Sequence, residues 1–116
     1  MQRVDDFLPL APAALHILLA LAGEDLHGYG IMQEVSRQSD GRFKLGPGTL
    51  YDNLQRLMKQ ELVEEVCDRP EDENSRRRTY RLSSLGRGVL SAEIVRLEGV
   101  VKAARLHLKA PRPRSA

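Results

Sequence analysis

Apolar positions along the chain fall into helical and strand-like blocks. Leu15, Leu18, Leu19 and Ala22 repeat at helical spacing behind Pro12, which suits a first helical turn, and Gly23 marks the end. That block is apolar almost all round, which predicts burial on more than one side. A second helix is predicted over 28–38, with Ile31, Met32 and Val35 inward, broken by Ser39-Asp40-Gly41. A third is predicted over 47–60, with Gly46 as N-cap and Pro47 as its first residue. Its Leu50, Leu54, Leu57 and Met58 share one face, while Thr49, Asn53, Gln55, Arg56 and Lys59 project around the rest. Leu62 to Cys67 reads as a strand and Thr79 to Leu82 as its partner, with Tyr80 and Leu82 on one face. Ser83 is a plausible N-cap for a long last helix over 84–108, and Pro111 and Pro113 lie beyond its end. Leu90, Ile94, Leu97, Val101, Ala104 and Leu108 recur in it at spacings of 4, 3, 4, 3 and 4, an a/d seam.

Helix, strand, charged loop, strand is the order of a winged helix-turn-helix, in which one helix reads the major groove and the loop contacts backbone. The expected fold is therefore mainly α with a small β-hairpin (α+β), plus a long C-terminal dimerisation helix. The expected division is a DNA-binding domain over 1–83, the dimerisation helix over 84–108 and a disordered basic tail over 109–116.

Composition narrows the function without deciding it. A chain of 116 residues bounds one domain, and 41% hydrophobic content supports a small core of a size that often gains stability by association. There is no Trp and only 4% aromatic content, so the core is aliphatic. A net charge of +2 favours nucleic acid weakly; its distribution matters more. Cys67 is the only cysteine, which excludes a disulfide framework or a thiolate zinc site within one chain. No apolar run reaches membrane-spanning length. The stretch Leu8 to Ala22 fails as a secretory signal, since only Arg3 precedes it and two aspartates follow that residue. A cytoplasmic location is the expectation. His16, His27 and His107 are too far apart for a local metal motif, and no G-x-S-x-G is present. Gly28-Tyr-Gly30 lacks the strand and the Lys-Ser/Thr of a phosphate loop. No catalysis, cofactor or metal is expected.

Asn53, Gln55 and Arg56 are residue types suited to bidentate contacts with adenine or guanine edges, with Arg56 and Lys59 set against Asp52. An ordinary solvated helix face carries the same types; the strand–loop–strand that follows favours DNA. The loop 68–78 balances Asp68, Glu71, Asp72 and Glu73 against Arg69, Arg76, Arg77 and Arg78. Its last three arginines sit at the returning strand, where a wing meets phosphate or enters the minor groove. A solvated hairpin tip with its own weak ion pairs is the alternative. The basic residues from Lys102 onward either add phosphate affinity or solvate the tail. The seam of the last helix either packs on the first helix or meets another chain. A helix of about 24 residues spans roughly 36 Å, more than one small domain covers, so part of it should meet another chain.

Several segments together resemble the PadR family of transcriptional regulators. They are His27-Gly-Tyr-Gly-Ile31, Gly48-Thr-Leu-Tyr51, Leu54-x-x-Leu57, the Arg-Arg-Thr-Tyr-Arg-Leu run ending at Leu82, and Ser83-Ser-Leu-Gly86. The resemblance covers about residues 11–90, and the single C-terminal helix resembles the short subgroup. It implies a homodimeric repressor that binds double-stranded DNA. The last helices would pair with each other and with the partner's first helix, here through Leu15 and Leu19. Tyr29 would lie near phosphate, Tyr51 and the helix from Thr49 would face DNA, and Arg76 to Arg78 would belong to the wing. Two recognition helices imply an inverted-repeat operator. Asp52 stands where the family often has proline, and Glu61 where it usually has glycine, which predicts a looser turn before the wing. A small-molecule effector, where one acts, is expected between the first and last helices. Its walls would be Leu15, Leu19, Leu97 and Val101, with no Trp to stack on. The rival reading is a helical interaction module whose last helix pairs with a different protein. No membrane partner is expected.

Overall fold

The computed structural model describes residues 3–66 and 78–109. Cys67, the loop arginines Arg69, Arg76 and Arg77, and the tail beyond Lys109 lie outside the described residues. A 3-10 turn, Val4–Phe7, precedes α1 (Pro12–Leu21), β1 (Leu26–His27), α2 (Gly28–Gln38), α3 (Pro47–Lys59), β2 (Val63–Val66), β3 (Thr79–Leu82) and α4 (Ser84–Lys109). Each predicted helix is present. Lys109, expected in the tail, is the last residue of α4.

Helix α1 lies at the centre, touching α2, α3, α4 and β3. Its near-uniform hydrophobicity is thus used on several sides: Ile17, Leu18, Ala20 and Leu21 are buried, while Leu15 and Leu19 are half-buried. Ile31 and Val35 of α2 and Leu50, Leu54 and Leu57 of α3 close the same core. The expected hairpin gains a third strand, giving the antiparallel order β1-β3-β2. Leu26 pairs with Tyr80 and His27 with Thr79. Two residues carry no alternation pattern, so β1 had no sequence signal of its own. His27 also caps α2, its Nδ1 accepting from the Gly30 N–H at 3.1 Å.

The turn before β2 is tight, against the expectation raised by Glu61. Glu61 takes φ +63°, the left-handed conformation usual for glycine at this position. The Leu62 N–H donates to the Leu57 carbonyl (2.9 Å) and the Glu61 N–H to the Met58 carbonyl (3.0 Å), a Schellman closure. The two bonds satisfy orphan carbonyls of α3 and hold Glu61 in a conformation that costs it about 1–2 kcal/mol.

The start of α4 is fastened to this turn. The Ser83 hydroxyl donates to the Glu61 carbonyl (2.6 Å) and accepts from the Gly86 N–H (2.9 Å). The Ser83 N–H donates to the Leu62 carbonyl at 3.0 Å. A Cβ at Gly86 would overlap that same carbonyl oxygen and lie 2.9 Å from Leu82 Cδ1, so only glycine permits the approach.

A second tie, absent from the sequence reading, holds the entry segment to α4. Glu93 is 0% exposed and accepts from the Leu10 N–H at 2.8 Å. Arg96, one turn on, pairs with its carboxylate. The Arg96 hydrogen bond, helped by the Leu10 N–H, holds the Glu93 carboxyl below the ordinary glutamate range although burial pushes it up. The signal available was an acid within the Val89–Leu90 stripe and an arginine three residues later.

Two stability experiments follow from these ties. Glu61→Gly should raise the unfolding free energy by about 0.5–1 kcal/mol in urea, because relief of the left-handed strain exceeds the added chain entropy. A lower midpoint would contradict the role given to this turn. Glu93 has a depressed pKa in the fold, so its contribution is present above the unfolded value near 4.5 and lost as pH falls through the lower folded value. Glu93→Gln should therefore be less stable at pH 7 and show a flatter stability–pH curve below pH 4.5 than the parent. Parallel curves for the two proteins would refute that assignment.

Candidate nucleic-acid interface

Helix α3 presents its charged side outward because its apolar residues are committed inward. At 3.6 residues per turn, the side opposite Leu50, Leu54 and Leu57 holds Gly48, Asp52, Gln55 and Lys59. Thr49 and Arg56 form one shoulder and Tyr51 the other; all six side-chain-bearing residues are exposed. Asn53 sits differently. It is half-buried, and its amide donates to the Thr49 carbonyl at 2.8 Å. Asn53 and Arg56 also border a pocket of about 120 Å³ with Phe7, Leu10, Ala11, Ala14, Leu57 and Gln60. The N-terminal end of α3 has no side-chain cap and no acid in its first turn, which leaves its amide groups free for an acceptor.

The two tyrosines of the site stand on the junction of α2 and α3. Tyr29 is 62% exposed at the start of α2, and Tyr51 is 46% exposed on α3. The Tyr51 ring packs over Gly28, where a Cβ would overlap its hydroxyl and lie 3.0 Å from Cζ. The missing side chain at Gly28 thus leaves room for the Tyr51 ring. Tyr80, beneath them, is nearly buried; burial, then the neighbouring Tyr51, pushes its hydroxyl pKa up.

The strands leading to the loop are charge-paired. Arg81 meets Glu64 at 3.1 Å across β2 and β3, and Arg78 meets Glu65 at 3.2 Å. These pairs are solvent-exposed and individually weak, so Arg78 is free to exchange its partner for a phosphate at little cost. Arg76 and Arg77 fall outside the described residues.

The seam of α4 divides in two. Gly86, Val89, Leu90 and Glu93 are buried in the chain's own core, so Leu90 is spent there. Beyond them Leu97 is half-buried, and Ile94, Val101, Ala104 and Leu108 are exposed, Leu108 by 85%. Packing of the whole seam on α1 does not occur within one chain.

Among the described residues, no group of three or more His, Cys, Asp or Glu side chains is placed to hold a metal ion. His16 instead stacks on Phe43 with ring centroids 4.4 Å apart. No described helix is long and apolar enough to cross a membrane.

A family model described as the transcriptional regulator PadR-like family matches residues 17–92. The chain is 37% identical over 86 residues to an uncharacterised protein X of Lysinibacillus sphaericus, covering 74% of this chain and 77% of that one. It is 34% identical over 92 residues to transcriptional regulator Rv3488 of Mycobacterium tuberculosis, covering 79% of this chain and 81% of that protein. Its fold matches the crystal structure of a PadR family transcription regulator from hypervirulent Clostridium difficile R20291 with a TM-score of 0.71. That match has 22% identity and covers 84% of this chain and 99% of the other.

The packing of Tyr51 on Gly28 can be tested directly. Gly28→Ala meets the far end of a flexible ring, so unfolding free energy should change by no more than about 1 kcal/mol. The Tyr51 ring resonances should shift as the ring swings out. Unchanged resonances in a folded variant would show that Gly28 does not position the tyrosine.

Proposed function

The chain belongs to the PadR-like family of transcriptional regulators, a family of DNA-binding winged-helix proteins rather than of enzymes, and from that premise we propose that it is a homodimeric repressor acting on an inverted-repeat operator. The observation that carries the dimer is the apolar line of half-buried Leu97 and exposed Ile94, Val101, Ala104 and Leu108, which continues α4 past the core of its own chain. Pairing it with a second copy removes that surface from water and sets two α3 helices in a dyad. Leu15 and Leu19, left half-buried on α1, extend the same contact.

In this reading the winged-helix unit runs over 1–83, and α4 both completes its core and carries the dimer contact over 84–108. Residues 109–116 would act as a basic tail. Gln55, Arg56 and Lys59 read or grip the major groove, with Thr49, Asn53 and Tyr51 at its edges. Tyr29 approaches phosphate and Arg76, Arg77 and Arg78 serve the wing. The protein works in the cytoplasm on double-stranded DNA. A small apolar effector at the meeting of α1 and α4 would act by changing the spacing of the two α3 helices. Pairing of α4 with a different protein is the competing occupant of the seam, and the same experiment separates the two.

Leu97→Glu places a charge in the proposed seam, where removal of an unpaired charge from water costs several kcal/mol. Sedimentation of the parent should give a dimer and that of the variant a monomer. Footprinting of the parent on its upstream region should show dyad symmetry that the variant loses. A variant that remains fully dimeric, or a parent that is monomeric and protects no symmetric site, would overturn the proposal.

A further inference from the structure

Resting on the DNA-binding reading, we infer that the turn between α2 and α3 is a phosphate anchor of this protein, with Arg42 and Lys44 as its two contacts. Among the described residues, the cations of the sheet and of α2 are paired: Arg78 with Glu65, Arg81 with Glu64 and Arg37 with Glu34. Arg42 and Lys44 are exposed and form no ion pair among the described residues; Asp40 is the one acid of their turn.

The turn is built to hold them still. Exposure alternates along it: Arg42 and Lys44 are exposed while Phe43 is half-buried and Leu45 buried, so the apolar residues fasten the turn and the cations are left to solvent. The Phe43 ring stacks on His16 of α1. The Ser39 hydroxyl accepts from the Phe43 N–H at 3.0 Å, with its oxygen also 2.9 Å from the Val35 carbonyl. A pinned backbone lowers the ordering cost of a contact that each side chain makes. Lys44 lies two residues before the Gly46 N-cap, hence within about 7 Å of the start of α3. A duplex seated on the outward face of α3 and reaching its N-terminal end would come near this turn, and in the proposed anchor the two charges meet its phosphates there. Phosphate contacts of this kind add affinity without sequence preference and release counterions.

The anchor is read from the salt dependence of binding to a mixed-sequence duplex of about 30 base pairs. Each lost phosphate contact lowers the slope of log K against log salt by about 0.9. Arg42→Gln with Lys44→Gln should therefore lower it by about 1.8 per protomer, or about 3.6 for a dimer. Between 50 and 200 mM salt the parent should then lose roughly 100-fold more affinity than the double variant. Thermal melts should be unchanged because both side chains are exposed, and Lys44→Gln alone provides a half-sized effect. Arg42→Lys should keep the parent's slope, and Glu64→Gln with Arg81→Gln should leave it unchanged. A parent with a steep slope and a double variant with the same slope would overturn the anchor alone. A parent that binds neither this duplex nor its own upstream DNA would overturn the DNA-binding reading and the anchor with it.

Discussion

The geometry of the molecule depends on one small cluster of backbone contacts, the meeting of Glu61, Leu62, Ser83 and Gly86. One hydroxyl, that of Ser83, bridges the end of the α3 turn to the third amide of α4, that of Gly86. The Leu62 carbonyl accepts from the Ser83 N–H and occupies the space a side chain at 86 would need. The end of the outward-facing helix α3 and the start of α4 therefore meet at one shared joint. Moving α4 relative to this turn would break the Ser83 bonds to Glu61 and Leu62.

Glu93 provides the opposite restraint. A buried carboxylate is costly unless it is paired and hydrogen-bonded, and here it has both Arg96 and the Leu10 amide. With the Ser83 joint at its start and Glu93 nearly three turns later, the first part of α4 is clamped to the body at two points. The residues that follow are free to be offered to another chain. In the proposed dimer one regular apolar repeat would serve two purposes. The helix period is continuous, but the body it packs against ends near Glu93.

The electrostatic pattern follows from where strands and helices place their neighbours. The β2–β3 register sets Glu64 opposite Arg81, and Arg78 just before β3 reaches Glu65, which pairs these charges locally. The turn ahead of α3 and the helix face itself have no such partners across from them. Among the described residues Arg42, Lys44, Arg56 and Lys59 form no ion pair, with Asp40 and Asp52 as the acids on the same turn and helix.

Periodicity by itself determined the four helices, the strand Thr79–Leu82 and the inward faces of α2 and α3, because burial of one face imposes a repeat that any reader of the chain can count. It also placed Gly46, Pro47 and Ser83 at helix starts, since capping is a local matter of which backbone amides lack partners. The family motifs were legible for the same reason: Gly28 and Gly86 mark close approaches that a Cβ would block. What they approach, the Tyr51 ring and the Leu62 carbonyl, only the folded chain reveals. Strand β1 exists because β3 has a free edge beside it, not because Leu26–His27 prefers extension. Glu61 in place of glycine predicts a looser turn, yet two backbone hydrogen bonds override its conformational preference. The burial of Glu93 depends on an amide 83 residues away, and the split of the α4 seam depends on where the body ends. Such contacts pair residues remote in sequence, and a local repeat carries no information about them.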